Sequence, residues 1–249
     1  MTAKTEFKWA RFPVSWVRDG QGLLKLRASD SGALPALRLY VALAIYIPPS
    51  AWIKDSAEDL DQTQFFKITY KQWQSISGLD RTNISEGLKV LKSHELIEVD
   101  AQKGMTSSYR LAGTTQNGYA RLPLTLTTNR MKNFGVKGLV DAYDRRPLAL
   151  EALKLYLLLL SFRNGQTNRA VLSYDKINEY TGIRRARIHA AINFLSSLEM
   201  VQVESLSWET NSEVRTMNSY FIKDLANYRP VTDRSKLPQE QWISTRGVA

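Results

Sequence analysis

Apolar residues near the middle of the second half recur at Ile183, Ile188, Ala191, Ile192 and Leu195. This spacing, close to the helical period, predicts a helix with one buried stripe. Arg184, Arg185, Arg187, His189 and Asn193 fall largely off that stripe, so the exposed face is basic. Upstream, Tyr174 to Thr181 reads as a shorter helix with Ser173 as its N-cap. Gly182 supplies the turn between the two, and the run from Val201 to Trp208 follows as a strand. Two short helices around a glycine turn, the second basic on its free face, form the layout of a helix-turn-helix.

The same pattern occurs earlier in the chain. Tyr70 matches Tyr174 and Gly78 matches Gly182, each 104 positions apart. Arg81/Arg185, Ile84/Ile188, Leu91/Leu195, Ser93/Ser197, Glu95/Glu199 and Val99/Val203 keep that offset without a gap. Upstream, ALRLYVALAIYI (from Ala36) parallels ALKLYLLLLSFR (from Ala152), and ARFPVSW (from Ala10) parallels ARLPLTL (from Ala120). Downstream, SSYRL ending at Leu111 parallels NSYFI ending at Ile222. Matches in this order point to two copies of one domain of about 100 residues each. In each copy the helix-turn-helix leads into a hairpin, Leu96–Val99 with Ser107–Leu111 and Val201–Trp208 with Arg215–Ile222. That combination is a winged helix. The fold class expected is therefore α+β: two tandem winged-helix domains related by an internal repeat.

The remaining stretches fill in the organisation. Phe7 to Val17 suits a short strand, with Pro13 implying an edge or irregular pairing. Trp9, Phe12 and Trp16 within it could stack on bases, but core packing is the better reading. Leu23 to Ala28 is a short extended or helical piece. Gly32 to Ile47 is apolar nearly all round and reads as a buried helix ended by Pro48-Pro49. Ala51 to Gln64 is an acidic insertion absent from the second copy. It lacks the glycine and terminal glutamate of a calcium loop, so a solvated loop or short extra helix is expected, facing away from DNA. Gly113 to Gly118 (GTTQNG) marks the boundary between an N-terminal domain (7–113) and a C-terminal domain (118–226). A linker this short limits the distance between domains without fixing their orientation. Asn129 to Gly138 is a basic, glycine-containing loop that fits no nucleotide-binding pattern, Leu148 to Phe162 is the second long helix, and 227–249 reads as a flexible basic tail.

Composition narrows the function classes. The chain has no cysteine, which excludes disulfides, thiolate metal sites and a cysteine nucleophile. Its two histidines, His94 and His189, sit at different points of the repeat, so no metal site and no cofactor are expected. A relaxase would need a histidine cluster with a nucleophilic tyrosine, so the chain is expected not to be an enzyme and to have no catalytic residues. The opening MTAKTEFKWARF has no apolar signal region, and the apolar runs are too short to span a membrane. A cytoplasmic protein without a membrane partner follows as the expectation. The net charge of +10 attracts polyanions, and double-stranded DNA is the partner expected. At 43% hydrophobic over 249 residues, two ordinary cores can be buried.

These features resemble the iteron-binding replication initiators of plasmids. The resemblance is carried by LRLYVALAIYI with ITYKQWQSISGLDRTNISEGLKVLKSHELIEV in the first copy, and by LKLYLLLLSFR with LSYDKINEYTGIRRARIHAAINFLSSLEMVQV in the second. It implies origin recognition by both domains, the C-terminal one making the stronger contacts and the N-terminal one also mediating a homodimer. It further implies recruitment of host replication proteins, with no chemistry performed. A transcriptional repressor or plasmid-partition protein could use the same two domains, and a protein-interaction module is a third class. The DNA-contacting candidates are Arg184, Arg185, Arg187, His189 and Asn193 in the second copy, and Arg81, Thr82, Asn83, Ser85 and Lys89 in the first. The arginines could instead solvate an exposed helix or pair with Glu179 and Glu199. Three within four residues repel one another, which favours an outside anion.

Overall fold

Alternating small and large apolar residues make the opening stretch a strand, β1 (Trp9–Pro13), with Ala10 and Phe12 buried. The computed structural model describes residues 9–48, 52–55, 60–101, 105–112, 118–123, 146–210, 213–223 and 225. The strand is shorter than the expected Phe7–Val17, because the chain turns into helix α1 (Ser15–Arg18) directly after Val14. The turn carries Trp16 into the core, where its indole N–H donates to the Tyr40 hydroxyl at 3.0 Å. A second short helix, α2 (Gly22–Lys25), precedes the long helix α3 (Ala33–Tyr46). Leu37, Leu39, Tyr40 and Leu43 of α3 are all fully buried. Each such side chain contributes about 1.5–3 kcal/mol of transfer free energy, which makes α3 the centre of the first half.

The acidic insertion is neither a loop nor a helix. It forms an antiparallel hairpin of β2 (Trp52–Asp55) and β3 (Leu60–Thr63), pairing Trp52 with Thr63 and Asp55 with Leu60. The acids masked the branched and aromatic residues that favour extended pairing. Strand β4 (Phe66–Lys67) leads into α4 (Tyr70–Ser77) and α5 (Arg81–Ser93), followed by β5 (Ile97–Asp100) and β6 (Ser108–Leu111). The second half runs through β7 (Tyr119–Pro123), α6 (Arg146–Ser161), β8 (Arg169–Val171), α7 (Tyr174–Thr181), α8 (Arg185–Ser197), β9 (Val201–Thr210) and β10 (Glu213–Ile222). The class is α+β, with eight helices and small antiparallel sheets among the described residues. The sheets follow the orders β4-β6-β5 and β8-β10-β9, so in each half the strand before the two helices joins the hairpin after them. The basic loop 129–138 and the tail 227–249 lie outside the described residues.

The two halves are held to one another directly. Strand β1 pairs antiparallel with β7, placing Arg11 opposite Arg121 and Phe12 opposite Ala120. One face of this ribbon, Ala10, Phe12, Ala120 and Leu122, is buried. On the other, Trp9 stacks on Tyr119 with centroids 5.8 Å apart, Arg11 lies 4.9 Å over Tyr119 and Arg121 4.9 Å over Trp9. Beyond the ribbon, the Arg18 guanidinium donates to the Ser161 carbonyl at the end of α6, its Nε at 3.0 Å. Lys154 of α6 donates to the Leu26 carbonyl just past α2 at 3.1 Å. The expectation of an unfixed orientation across the linker is thereby corrected. Pairing and buried hydrogen bonds set it, whatever the path of 113–117.

Candidate nucleic-acid interface

The turn between α7 and α8 is fixed by a small set of hydrogen bonds. Ser173 caps α7, its hydroxyl accepting from the Lys176 N–H, as its position in the sequence predicts. Gly182 ends the helix at φ +68°, a left-handed conformation that costs a residue with a Cβ about 1–2 kcal/mol. The buried Thr181 hydroxyl donates to the Ile177 carbonyl at 2.6 Å and accepts the Ile183 N–H at 3.1 Å. The turn between α4 and α5 has the corresponding bonds. Thr69 and Gln72 form a capping box, Gly78 has φ +66°, and the Ser77 hydroxyl bonds Trp73 and Leu79 at 2.6 and 3.2 Å.

A buried cation supports each turn from behind. Arg38 of α3 is 6% exposed and donates to the Ser77 carbonyl at 2.7 Å. Lys154 of α6 is likewise 6% exposed and donates to the Thr181 carbonyl as well as to Leu26. Each satisfies a carbonyl that the end of a helix leaves without an intrahelical donor. Burial lowers the Arg38 pKa to about 10 and the Lys154 pKa to about 8, the latter against the opposing pull of Glu151. Sequence reading missed both. Their signal was a cation at the same place in ALRLY and ALKLY, inside otherwise apolar helices.

The predicted contact residues divide by what they touch. Arg184 is the N-cap residue of α8; its exposed side chain makes no hydrogen bond or ion pair among the described residues, and the helix start has no side-chain cap. Arg185 pairs with Asp175 at 2.5 Å, with both side chains at least 70% exposed. Such a pair contributes about 0–1 kcal/mol and can be exchanged for a phosphate at little cost. Arg187 is committed differently. Its Nε donates to both carboxylate oxygens of Glu151 at 2.7 and 2.8 Å, and the Glu151 side chain is only 13% exposed. Neither arginine uses Glu179 or Glu199 in these pairs: Glu179 bonds Lys176 instead. Repulsion among the three arginines is thus partly relieved inside the chain, and Arg187 ties α8 to α6. His189 and Asn193 are exposed and share a hydrogen bond of 3.3 Å one turn apart.

On α5, Arg81, Thr82 and Lys89 are exposed, and Ser85 is half-buried. Arg81 lies 5.1 Å over the ring of Tyr70. The Asn83 side chain donates to the Asp80 carboxylate at 2.7 Å, while Asp80 also accepts the Asn83 backbone N–H as the N-cap of α5. Asn83 therefore serves the helix start. Beside α8, a groove of about 580 Å³ opens against β9 and β10. Tyr174, Gln202, Asn218 and Lys223 line it together with His189 and Asn193. Among the described residues no group of three or more histidines and acids is placed to hold a metal, and no helix is long and apolar enough to cross a membrane. No protein-family model matches the chain, and no curated protein or solved structure matches it.

Proposed function

We propose that the chain is a sequence-specific double-stranded DNA-binding protein built of two winged-helix units related by an internal repeat. We further propose that it acts as a plasmid replication initiator binding repeated sites at an origin. The observation that carries the reading is the doubled turn. Ser77/Thr181, Gly78/Gly182 and the left-handed Glu95/Glu199 (φ +56° and +54°) play matching parts in the two halves, each pair 104 residues apart. Each turn presents a helix with cations on its exposed side, Arg81 and Lys89 on α5 and Arg184 and Arg185 on α8. A shared hydrogen-bonding frame under two differing exposed faces suits two readers of different base sequence.

The β1–β7 ribbon supports a shared duplex. Arg11 and Arg121 hold the same place in ARFP and ARLP and lie opposite one another, so the two units sit about an approximate two-fold axis. Readers so related can enter successive major grooves about 34–36 Å apart on one face of B-DNA. The α8 reader makes the stronger contacts, because α5 carries Asp80 and Glu86 beside its cations whereas α8 has no acid between Arg185 and Ser197. The partners are double-stranded DNA, a second copy in a homodimer, and host replication proteins; the chain performs no chemistry.

The test is to select bound sequences from random and plasmid DNA with the full chain. Direct repeats in an A·T-rich origin are expected. A palindrome over a promoter would instead favour the transcriptional-repressor or partition reading. Replacing Arg184 and Arg185 with alanine should cost about 1–3 kcal/mol for each bidentate pairing with guanine that is removed. Affinity that is independent of salt and unchanged in this variant refutes the reading.

A further inference from the structure

We propose that the groove between α8 and the β9–β10 hairpin seats one sugar-phosphate strand of the bound duplex, held mainly by neutral hydrogen-bond donors; this rests on the DNA-binding reading. The lining converges from four elements: Tyr174 at the start of α7, His189 and Asn193 on α8, Gln202 on β9 and Asn218 on β10. Lys223, just past β10, is the one cation in the lining, and no aspartate or glutamate is part of it. Tyrosine, asparagine, glutamine and lysine are among the side chains that commonly contact phosphate oxygens. Carboxylates, which repel phosphate, are absent from this lining although Asp175, Glu179 and Glu199 are all near in sequence. At about 580 Å³ the groove is an open trough rather than a sealed cavity.

The position of the groove sets its occupant. His189 and Asn193 lie one turn apart on the exposed side of α8, so their faces toward the hairpin form one wall of it. When α8 lies in a major groove, the strand bordering that groove on the hairpin side runs along this wall. Neutral donors would fix its register, while Arg184 and Arg185 at the other end of α8 meet base edges. The two sets of contacts differ in salt response, because only charged groups release counterions on meeting phosphate.

The full chain is titrated against a labelled duplex recovered by selection from a random pool, and against a duplex of unrelated sequence, over a range of salt. Asn218→Asp, which keeps the side-chain shape and adds a negative charge, should weaken binding to both duplexes by about tenfold. Asn218→Ala should weaken both by a similar factor and leave the salt slope unchanged. Lys223→Gln should lower the slope by about one. Ethylation of one or two phosphates should block binding by the natural chain and lose that effect in Asn218→Ala. Thermal melts confirm that each variant is folded; a variant that melts early is replaced by Gln202→Glu, for which the same loss is expected. Natural affinity in all the groove variants, with loss on changing Arg184 and Arg185, overturns this proposal and leaves the DNA reading standing. Absence of salt-dependent binding by the natural chain overturns both.

Discussion

Gly87 lies in the middle of α5, where glycine is less favourable than alanine by about 1 kcal/mol on helix propensity alone. Taken in isolation, Gly87→Ala should therefore stabilise the protein. The packing against α3 reverses this. A Cβ at position 87 would lie 2.7 Å from Leu39 Cδ1, 2.9 Å from the Ala36 nitrogen and 2.9 Å from the Pro35 carbonyl carbon. Carbon atoms pack optimally at about 3.5–4.0 Å, so relief needs a shift of more than half an ångström. Leu39 is fully buried and two of the three neighbours are backbone atoms, so α3 and α5 must separate as bodies. Overpacking typically costs about 1–3 kcal/mol, and rigid backbone neighbours put this case at the upper end. Subtracting the propensity gain leaves a net loss of about 2 kcal/mol, which for a chain of this size lowers Tm by roughly 4–8 °C. The matching residue of α8 is Ala191, fully buried, so the α6–α8 packing already accommodates a methyl group there. Differential scanning calorimetry of Gly87→Ala measures the effect, with urea denaturation as a check. An unchanged or raised Tm would show that α3 and α5 are not held at this distance and would refute the packing argument.

Arg187→Ala should cost about 1–2 kcal/mol by leaving Glu151 without its partner, while Arg184→Ala stays within about 0.5 kcal/mol; chemical denaturation of the two separates a structural arginine from an exposed one. Lys154 has a folded-state pKa of about 8, below its unfolded value of 10.5, so the unfolded chain binds more protons between these values. Stability of the natural chain relative to Lys154→Met should therefore rise by up to about 3 kcal/mol as pH climbs through that window, and urea midpoints across it should diverge. A fragment beginning at Gly118 lacks β1, the Arg18 bond to Ser161 and the Leu26 acceptor of Lys154. Its thermal transition should be broader and markedly lower than that of the full chain, and a sharp transition at the same temperature would show that the second half needs none of these interactions.

Local chemistry made much of this fold legible. The period of Ile84, Leu88 and Leu91, and of Ile188, Ala191 and Leu195, set the helices, and Thr69, Asp80 and Ser173 marked their starts. Gly78 and Gly182 marked the turns because few residues but glycine take a left-handed conformation without strain. The internal match at an offset of 104 residues followed from residues in order, without reference to any tertiary neighbour. What remained hidden depended on partners distant in the chain. The role of Arg187 is decided by Glu151, 36 residues away, and that of Lys154 by Leu26, 128 residues away. The hairpin of β2 and β3 emerges only once Trp52 finds Thr63. Periodicity and capping act within a few residues and can be read along the chain. Charge pairing, buried donors and strand exchange between β1 and β7 depend on which surfaces folding brings together, and only the tertiary structure supplies that.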